Sequence, residues 1–367
     1  MIDVQNASMT VSQVTNILAS AYSKLINSGV SLRRFPSVML WGSPGVGKSQ
    51  GVRQLAVDIG ACTGKRVEIT DVRLLLFNPV DLRGIPTANE EKTLAVWLKP
   101  KIFQMDDSID VINILFLDEI SAAPQSVQAA AYQITLDRTV GEHRLPENCI
   151  VIAAGNRVTD RSVAYNMPKA LANRLCHFEI KTDINSWREW AIESGINECV
   201  IGFLDYKPSL LMDFDTDSSE HAFPTPRSWE MVSNILNYIN SDINEVYSLI
   251  AGCVGSYAAN ELLWWNNIYS TAPSAEDIFS GEEQSVPLRP ESLYALSTCI
   301  STYARNHHST EETENAITYV NRLPSEFRDR IFADFLRINS VLRTLYNNRI
   351  YNDWFEQSGH HWEDYGL

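Results

Sequence analysis

Eight consecutive residues constrain this chain more than any others: Gly42-Ser43-Pro44-Gly45-Val46-Gly47-Lys48-Ser49. They fit the pattern GxxxxGK[ST]. An apolar run, Val38-Met39-Leu40-Trp41, precedes them, and Val52, Leu55, Ala56 and Ile59 follow at helical spacing. Strand, glycine-rich loop and helix in that order can wrap a phosphate group. The glycines let the backbone curl around the anion with its N–H groups inward. The helix that follows adds the positive end of its dipole. Lys48 would pair with β- and γ-phosphates, and the Ser49 hydroxyl would ligate Mg²⁺.

Four further apolar stretches alternate with helical ones. Together with the first they predict strands at 37–41, 66–71, 111–118, 149–154 and 175–180. Near-continuous apolar runs such as Ile114-Leu115-Phe116-Leu117 and Ile150-Val151-Ile152 are typical of strands buried on both faces. The expected fold class is therefore α/β, a parallel five-stranded sheet flanked by helices. Residues 10–28 read as an amphipathic helix capped by Thr10, with Val11, Val14, Ile17, Leu18, Tyr22 and Leu25 on one stripe.

The chain's 367 residues allow two or three domains. We divide them into an N-terminal helical segment (1–36), the α/β core (37–182), an α-helical lid (183–270), an acidic linker (271–290) and a C-terminal helical extension (291–367). Asp213, Asp215, Asp217 and Glu220 mark an acidic loop inside the lid. In the extension, Ser309-Thr310-Glu311-Glu312 resembles a capping box, and Phe327, Ile331, Phe335 and Ile338 recur at helical spacing. The extension could continue the lid or form a docking module. Its aromatic, acidic end, from Trp354 to Tyr365, could be a recognition tail or a packed terminus.

Two more sites carry chemistry. Asp118 ends the strand at 111–118, and Glu119 follows it. Asp118 can hold the metal shell and Glu119 can polarise an attacking water, an order of acids that suits hydrolysis. The strand at 149–154 runs into Gly155-Asn156-Arg157. If that strand lies between the first and the third, Asn156 stands beside the two acids, where it could position the water or sense the γ-phosphate. Otherwise it is a turn residue.

Composition narrows the partners. Acids outnumber bases 45 to 30, for a formal charge of −15. Such a surface repels polyphosphate, so no nucleic-acid partner is expected. The six cysteines are scattered without a CxxC pair and read as reduced thiols. His307–His308 and His360–His361 are adjacent pairs, poor geometry for one metal, and read as solvated. Trp187, Trp190, Trp264, Trp265 and Trp354 fit core packing better than a binding cage. No signal-peptide pattern and no run near the roughly 20 apolar residues of a membrane span is present, so a cytoplasmic location without membrane insertion is expected.

Taken together, these motifs resemble the AAA+ ATPases and, within them, the MoxR family of the helix-2-insert group, over about residues 10–270. Asn78-Pro79-Val80-Asp81-Leu82-Arg83-Gly84-Ile85-Pro86 looks like the start of the family's helix-2 insert, and Leu94-Ala95-Val96-Trp97-Leu98 like a strand of its hairpin. Leu136–His143 resembles the hairpin before the sensor 1 strand, with Gly141 as its turn residue. The resemblance implies that Asn156 is sensor 1. Ala170-Leu171-Ala172-Asn173-Arg174-Leu175 is similar to the family's ALLDRF segment, which makes Arg174 the arginine finger for a neighbouring subunit. Asn173 and Leu175 depart from that segment, where an acid and Phe are usual. Pro226-Arg227-Ser228-Trp229 resembles sensor 2, with Arg227 reaching from the lid to the phosphates. Arg161 is a further candidate for the subunit interface. Ile250–Gly255 also looks like a family segment, read as close helix packing.

By resemblance, then, the chain is an ATP- and Mg²⁺-dependent hydrolase that forms a homo-oligomeric ring, a hexamer, and remodels or activates a protein client. The family's usual partner is a von Willebrand factor A domain protein. Two other readings are a nucleotide-gated assembly scaffold with slow hydrolysis and the motor subunit of a metal chelatase.

Overall fold

The apolar runs build a sheet in the computed structural model, which describes residues 8–157, 167, 172–213, 221–239, 242–307, 309–359 and 361–362. Arg161, Ala170, Leu171, residues 214–220 of the acidic loop and residues 363–367 lie outside the described residues. Nine strands follow in chain order: β1 (Val38–Trp41), β2 (Arg66–Arg73), β3 (Ile85–Ala88), β4 (Ala95–Leu98), β5 (Val111–Asp118), β6 (Thr139–Val140), β7 (His143–Arg144), β8 (Cys149–Gly155) and β9 (Cys176–Glu179). The main sheet has the order β2-β5-β8-β1-β9, and every pairing in it is parallel.

Alternation along the strands assigns two faces, as the period of two requires. Met39, Leu115, Leu117, Val151 and Ala153 pack with Val127, Ala130, Ala131 and Ile134 of a helix at Gln125–Asp137. Val38, Leu40, Ile114, Phe116, Ile150, Ile152 and Ala154 pack with two helices, α1 (Val11–Asn27) and α2 (Lys48–Thr63). Thr10 caps α1 through a reciprocal box with Gln13 (3.0 and 3.2 Å). The two helices meet so closely that a Cβ on Gly51 would lie 2.7 Å from Val11 Cγ1. β2 is more open than the central strands. It lies at the edge, mostly exposed, with charged residues along it, as edge strands often have.

β3 and β4 form a separate antiparallel hairpin with Ile85 opposite Leu98, so the strand expected around 94–98 finds its partner just after Gly84. Gly84 has φ +91°, and a Cβ there would lie 2.0 Å from the Leu98 carbonyl oxygen, so only glycine fits. The short β6–β7 hairpin reaches this one through His143, whose Nε2 lies 2.7 Å from the Trp97 carbonyl oxygen.

The described residues divide into two compact units, one up to Ser186 and the other from Trp187 onward. The second is helical. One core cluster joins residues of helices Pro290–Asn306, Thr310–Val320, Ser325–Phe335 and Arg349–Gln357. Helix Glu198–Tyr206 packs on Pro290–Asn306 so tightly that a Cβ on Gly202 would meet Thr298 Oγ1 at 2.9 Å. The acidic stretch 271–290, read from composition as a linker, instead carries a helix, Ala275–Ser280. Its Ile278 and Phe279 are buried in the same cluster, and Glu276 beside them is exposed. Trp354 and Phe355 are buried, and Trp362 stacks on Phe355 at 3.9 Å, so these three aromatic residues are packed.

A buried ionic network runs through this unit. Arg188 donates through Nη1 to Asp334 Oδ1 (2.7 Å), through Nη2 to Asp334 Oδ2, and through Nε to Asp205 (2.9 Å). Ser301 also donates to Asp334 (2.7 Å), and Arg330 pairs with Asp205. Charge is divided as unevenly as structure. Residues 1–186 contain 19 Lys and Arg against 18 Asp and Glu, whereas residues 187–367 contain 11 against 27.

Candidate nucleotide-binding site

The parallel register brings three strand ends to one edge. Trp41 is opposite Gly155, and Leu117 is opposite Ala153. β8 lies between β1 and β5, the condition under which Asn156 stands beside the acids. The loops that leave these ends carry Gly42–Ser49, Asp118–Glu119 and Asn156.

Gly45 (φ +81°) and Gly47 (φ +98°) take the left-handed backbone that lets the loop curl. Gly42 is held against the residue that follows β9, where a Cβ would approach the Ile180 carbonyl oxygen at 3.0 Å. Val46 is buried in the face shared with α1 and α2 and anchors the loop from below. Pro44 bridges Ser43 and Gly45, and α2 begins at Lys48 directly after Gly47.

Lys48 is buried, and its ammonium is turned into the loop. It donates to the Gly42 carbonyl (2.6 Å), the Ser43 carbonyl (3.0 Å) and Asn156 Oδ1 (3.0 Å). The ammonium thus lies within the cradle that the loop backbone forms, against the side chain expected to sense the γ-phosphate. Ser49 donates its hydroxyl to Asp118 Oδ2 at 2.9 Å. The other carboxylate oxygen, Oδ1, accepts the backbone N–H of Glu119 (2.8 Å). Glu119 has φ +59°, uncommon for a residue with a side chain, and is partly exposed next to these groups.

The donor set fits a small hard cation. A hydroxyl and a carboxylate oxygen already lie within hydrogen-bond distance of each other. Among the described residues no group of three or more His, Cys, Asp and Glu could make an all-protein metal cage. Mg²⁺ is commonly held by one or two protein oxygens together with substrate phosphates, so Ser49 and Asp118 are the residues that would hold it.

Several supporting residues were not singled out from sequence. Ser121 Oγ accepts the Asn156 backbone N–H (2.9 Å), and Ile120 N–H donates to the Ala154 carbonyl (3.0 Å), which ties the two loops together. Gly155 permits this, because a Cβ there would lie 2.8 Å from Ser121 Oγ and 2.9 Å from Met39 Cε. Arg157 pairs with Glu179 on β9 and donates to Ser43 Oγ (3.3 Å). The only sequence signal for these contacts is small or charged residues at strand ends, which is too common to pick them out.

Residues 37–177 match the family model of the ATPase family associated with various cellular activities (AAA). The matched segment covers the loop, both acids and all of the sheet but the end of β9, and the chain has the P-loop AAA+ α/β fold followed by a helical C-terminal region. No curated protein matches the chain. Among solved structures it is similar to a point mutant of Thermotoga maritima RuvB (13% identity, TM-score 0.34, 86% of this chain and 88% of that one). It is also similar to a DNA polymerase III gamma subunit-related protein of Thermotoga maritima (8%, 0.34, 91% and 97%). A third is the Aeropyrum pernix Orc1 protein in complex with DNA (13%, 0.34, 89% and 83%).

Two further arginines were singled out from sequence. Arg174 is exposed, in a turn closed by Leu175 N–H on the Ala172 carbonyl (3.2 Å), just before β9. Arg227 belongs to the second unit. It is exposed in the first turn of helix Pro226–Tyr238, behind a Thr225–Ser228 capping box and a proline that suits a helix start. Among the described residues no helix is long and apolar enough to cross a membrane.

Proposed function

We propose that this chain is an ATP-hydrolysing ring motor of MoxR type that remodels or activates a protein client. The observation that carries the reading is the hydrogen bond from Ser49 to Asp118, which joins the phosphate loop to the acidic strand end, with Lys48 on Asn156 beside it. ATP is the substrate. Lys48 and the backbone of Gly42, Ser43, Pro44, Gly45, Val46 and Gly47 hold its phosphates, and Ser49 and Asp118 would hold Mg²⁺, which would supply positive charge against them. Glu119 takes a proton from the attacking water, which Asn156 orients.

Arg174 completes a neighbouring subunit's site. Its exposure and its separate turn support action in trans. Arginines that act this way contribute on the order of 10³–10⁵ in rate in well-studied GTPases, so assembly would control turnover. Arg227 couples nucleotide state to the helical region. The hexamer, the client and a von Willebrand factor A domain partner belong to this same reading. The uneven charge supports a protein client: the acids are concentrated in residues 187–367, which leaves the nucleotide-binding part near neutrality.

Particle images and phosphate release, each with and without ATP and Mg²⁺, test the proposal. Rings and turnover are expected when both are present. Monomers without turnover under every condition would refute it.

A further inference from the structure

Trp41 and His177 link the phosphate loop to the turn that carries Arg174. Trp41 ends β1, immediately before Gly42. Its indole Nε1–H donates to His177 Nδ1 at 2.8 Å, and the two rings are nearly parallel with centroids 6.1 Å apart. The other ring nitrogen, Nε2, lies 2.7 Å from the Ala172 carbonyl oxygen. An indole N–H can only donate and a carbonyl can only accept. Both bonds are satisfied together only by the neutral imidazole with its proton on Nε2.

The Ala172 carbonyl is also the acceptor that closes the turn over Asn173 and Arg174, through Leu175 N–H at 3.2 Å. His177 therefore fixes one wall of that turn from β9 and takes its own bearing from the residue that leads into the phosphate loop. The contact is made by two side chains 136 positions apart in sequence. Glu179, two residues along β9, pairs with Arg157.

We propose that His177 is a positioning residue for Arg174, holding the arginine's turn in register with the subunit's own phosphate loop through Trp41. The inference rests on the proposed action of Arg174 at a neighbour's site. His177 touches no phosphate and moves no proton. It sets where the guanidinium is presented, so it acts on the adjacent subunit's rate rather than on nucleotide binding in its own.

His177→Phe keeps an aromatic ring and removes both hydrogen bonds. The expected result is a fall in kcat of about 10- to 100-fold, the size of effect that a misplacement near 1 Å can cause, with little change in KM for ATP. His177→Gln can accept from Trp41 and donate to Ala172, and it should recover most of the rate. Trp41→Phe removes the donor from the other side and should reproduce the His177→Phe result.

Mixed rings decide where the defect acts. Glu119→Gln subunits keep Arg174 but lack the base, so mixing them with His177→Phe subunits should restore turnover at the latter's own sites. Arg174→Ala mixed with Glu119→Gln is the control. If the control is restored and His177→Phe is not, the His177 proposal is overturned while the trans role of Arg174 stands. If neither is restored, Arg174 does not act in trans and both readings fall. A His177→Phe enzyme of full activity, or a His177→Gln enzyme no better than His177→Phe, also overturns it.

Discussion

Replacing Asp334 with alanine removes the carboxylate on which the buried ionic network of the helical unit converges. Asp334 is 3% exposed and accepts from both Nη atoms of Arg188 and from Ser301. Arg188 is nearly as buried, at 8% exposed, and would keep only its Nε bond to Asp205. Removing one member of a buried pair typically costs about 3–5 kcal/mol, because the remaining charge is left desolvated. At about 1–3 kcal/mol per molar urea, the unfolding midpoint should fall by roughly 1–5 M. Tryptophan fluorescence is a suitable assay, since all the tryptophans except Trp41 and Trp97 lie beyond residue 186. Arg188 lies on helix Ile184–Glu193 and Asp334 on Ser325–Phe335, so the variant should lower one shared transition of early and late helices. The fold around Lys48, Ser49 and Asp118, which lie in the other unit, should be unchanged. Replacing both partners by apolar residues, Arg188→Met with Asp334→Leu, should recover much of the loss. A loss below about 1 kcal/mol, or a transition confined to the last helices, would refute the view that 187–362 folds as one unit.

Three other outcomes follow from single contacts. Burial alone would raise the Asp334 pKa, but the bonds and charge of Arg188, with Ser301 and Arg330, outweigh it and hold the carboxyl below its usual range. Its contribution is therefore complete above the unfolded value of about 3.9 and is lost as pH falls through the lower folded value, so acid should destabilise wild type more steeply than Asp334→Asn below about pH 4. Gly155→Ala places a Cβ 2.8 Å from Ser121 Oγ and should displace Asn156, with turnover down about 10- to 100-fold and ATP affinity nearly unchanged in a binding titration. Gly84→Ala meets both a positive φ and the Leu98 carbonyl, so limited proteolysis should find residues 84–99 opened while nucleotide still binds.

How much was legible follows from which interactions are local. Buried parallel strands announce themselves as apolar runs, so β1, β5 and β8 were located within a residue. Lys48, Ser49, Asp118 and Glu119 stood out because phosphate chemistry requires those types at those spacings. The placement of Asn156 beside the acids depends on strand order, which no local pattern states. Ser121, Arg157, Glu179 and the Trp41–His177 pair were missed because each acts through a partner far away in sequence. The helix at Ala275–Ser280 was hidden for a different reason: only Ile278 and Phe279 are apolar in it beyond its first residue, and the surrounding acids dominated the composition.

The account rests on Glu119 as the base that activates water beside a nucleotide held by Lys48, Ser49 and Asp118. Phosphate release by wild type and by Glu119→Gln, compared at saturating ATP and Mg²⁺, tests it most directly. A general base contributes about 10²–10⁴ in rate, so the variant should bind ATP as wild type does and turn it over slower by that factor. Equal rates at equal occupancy would contradict the account.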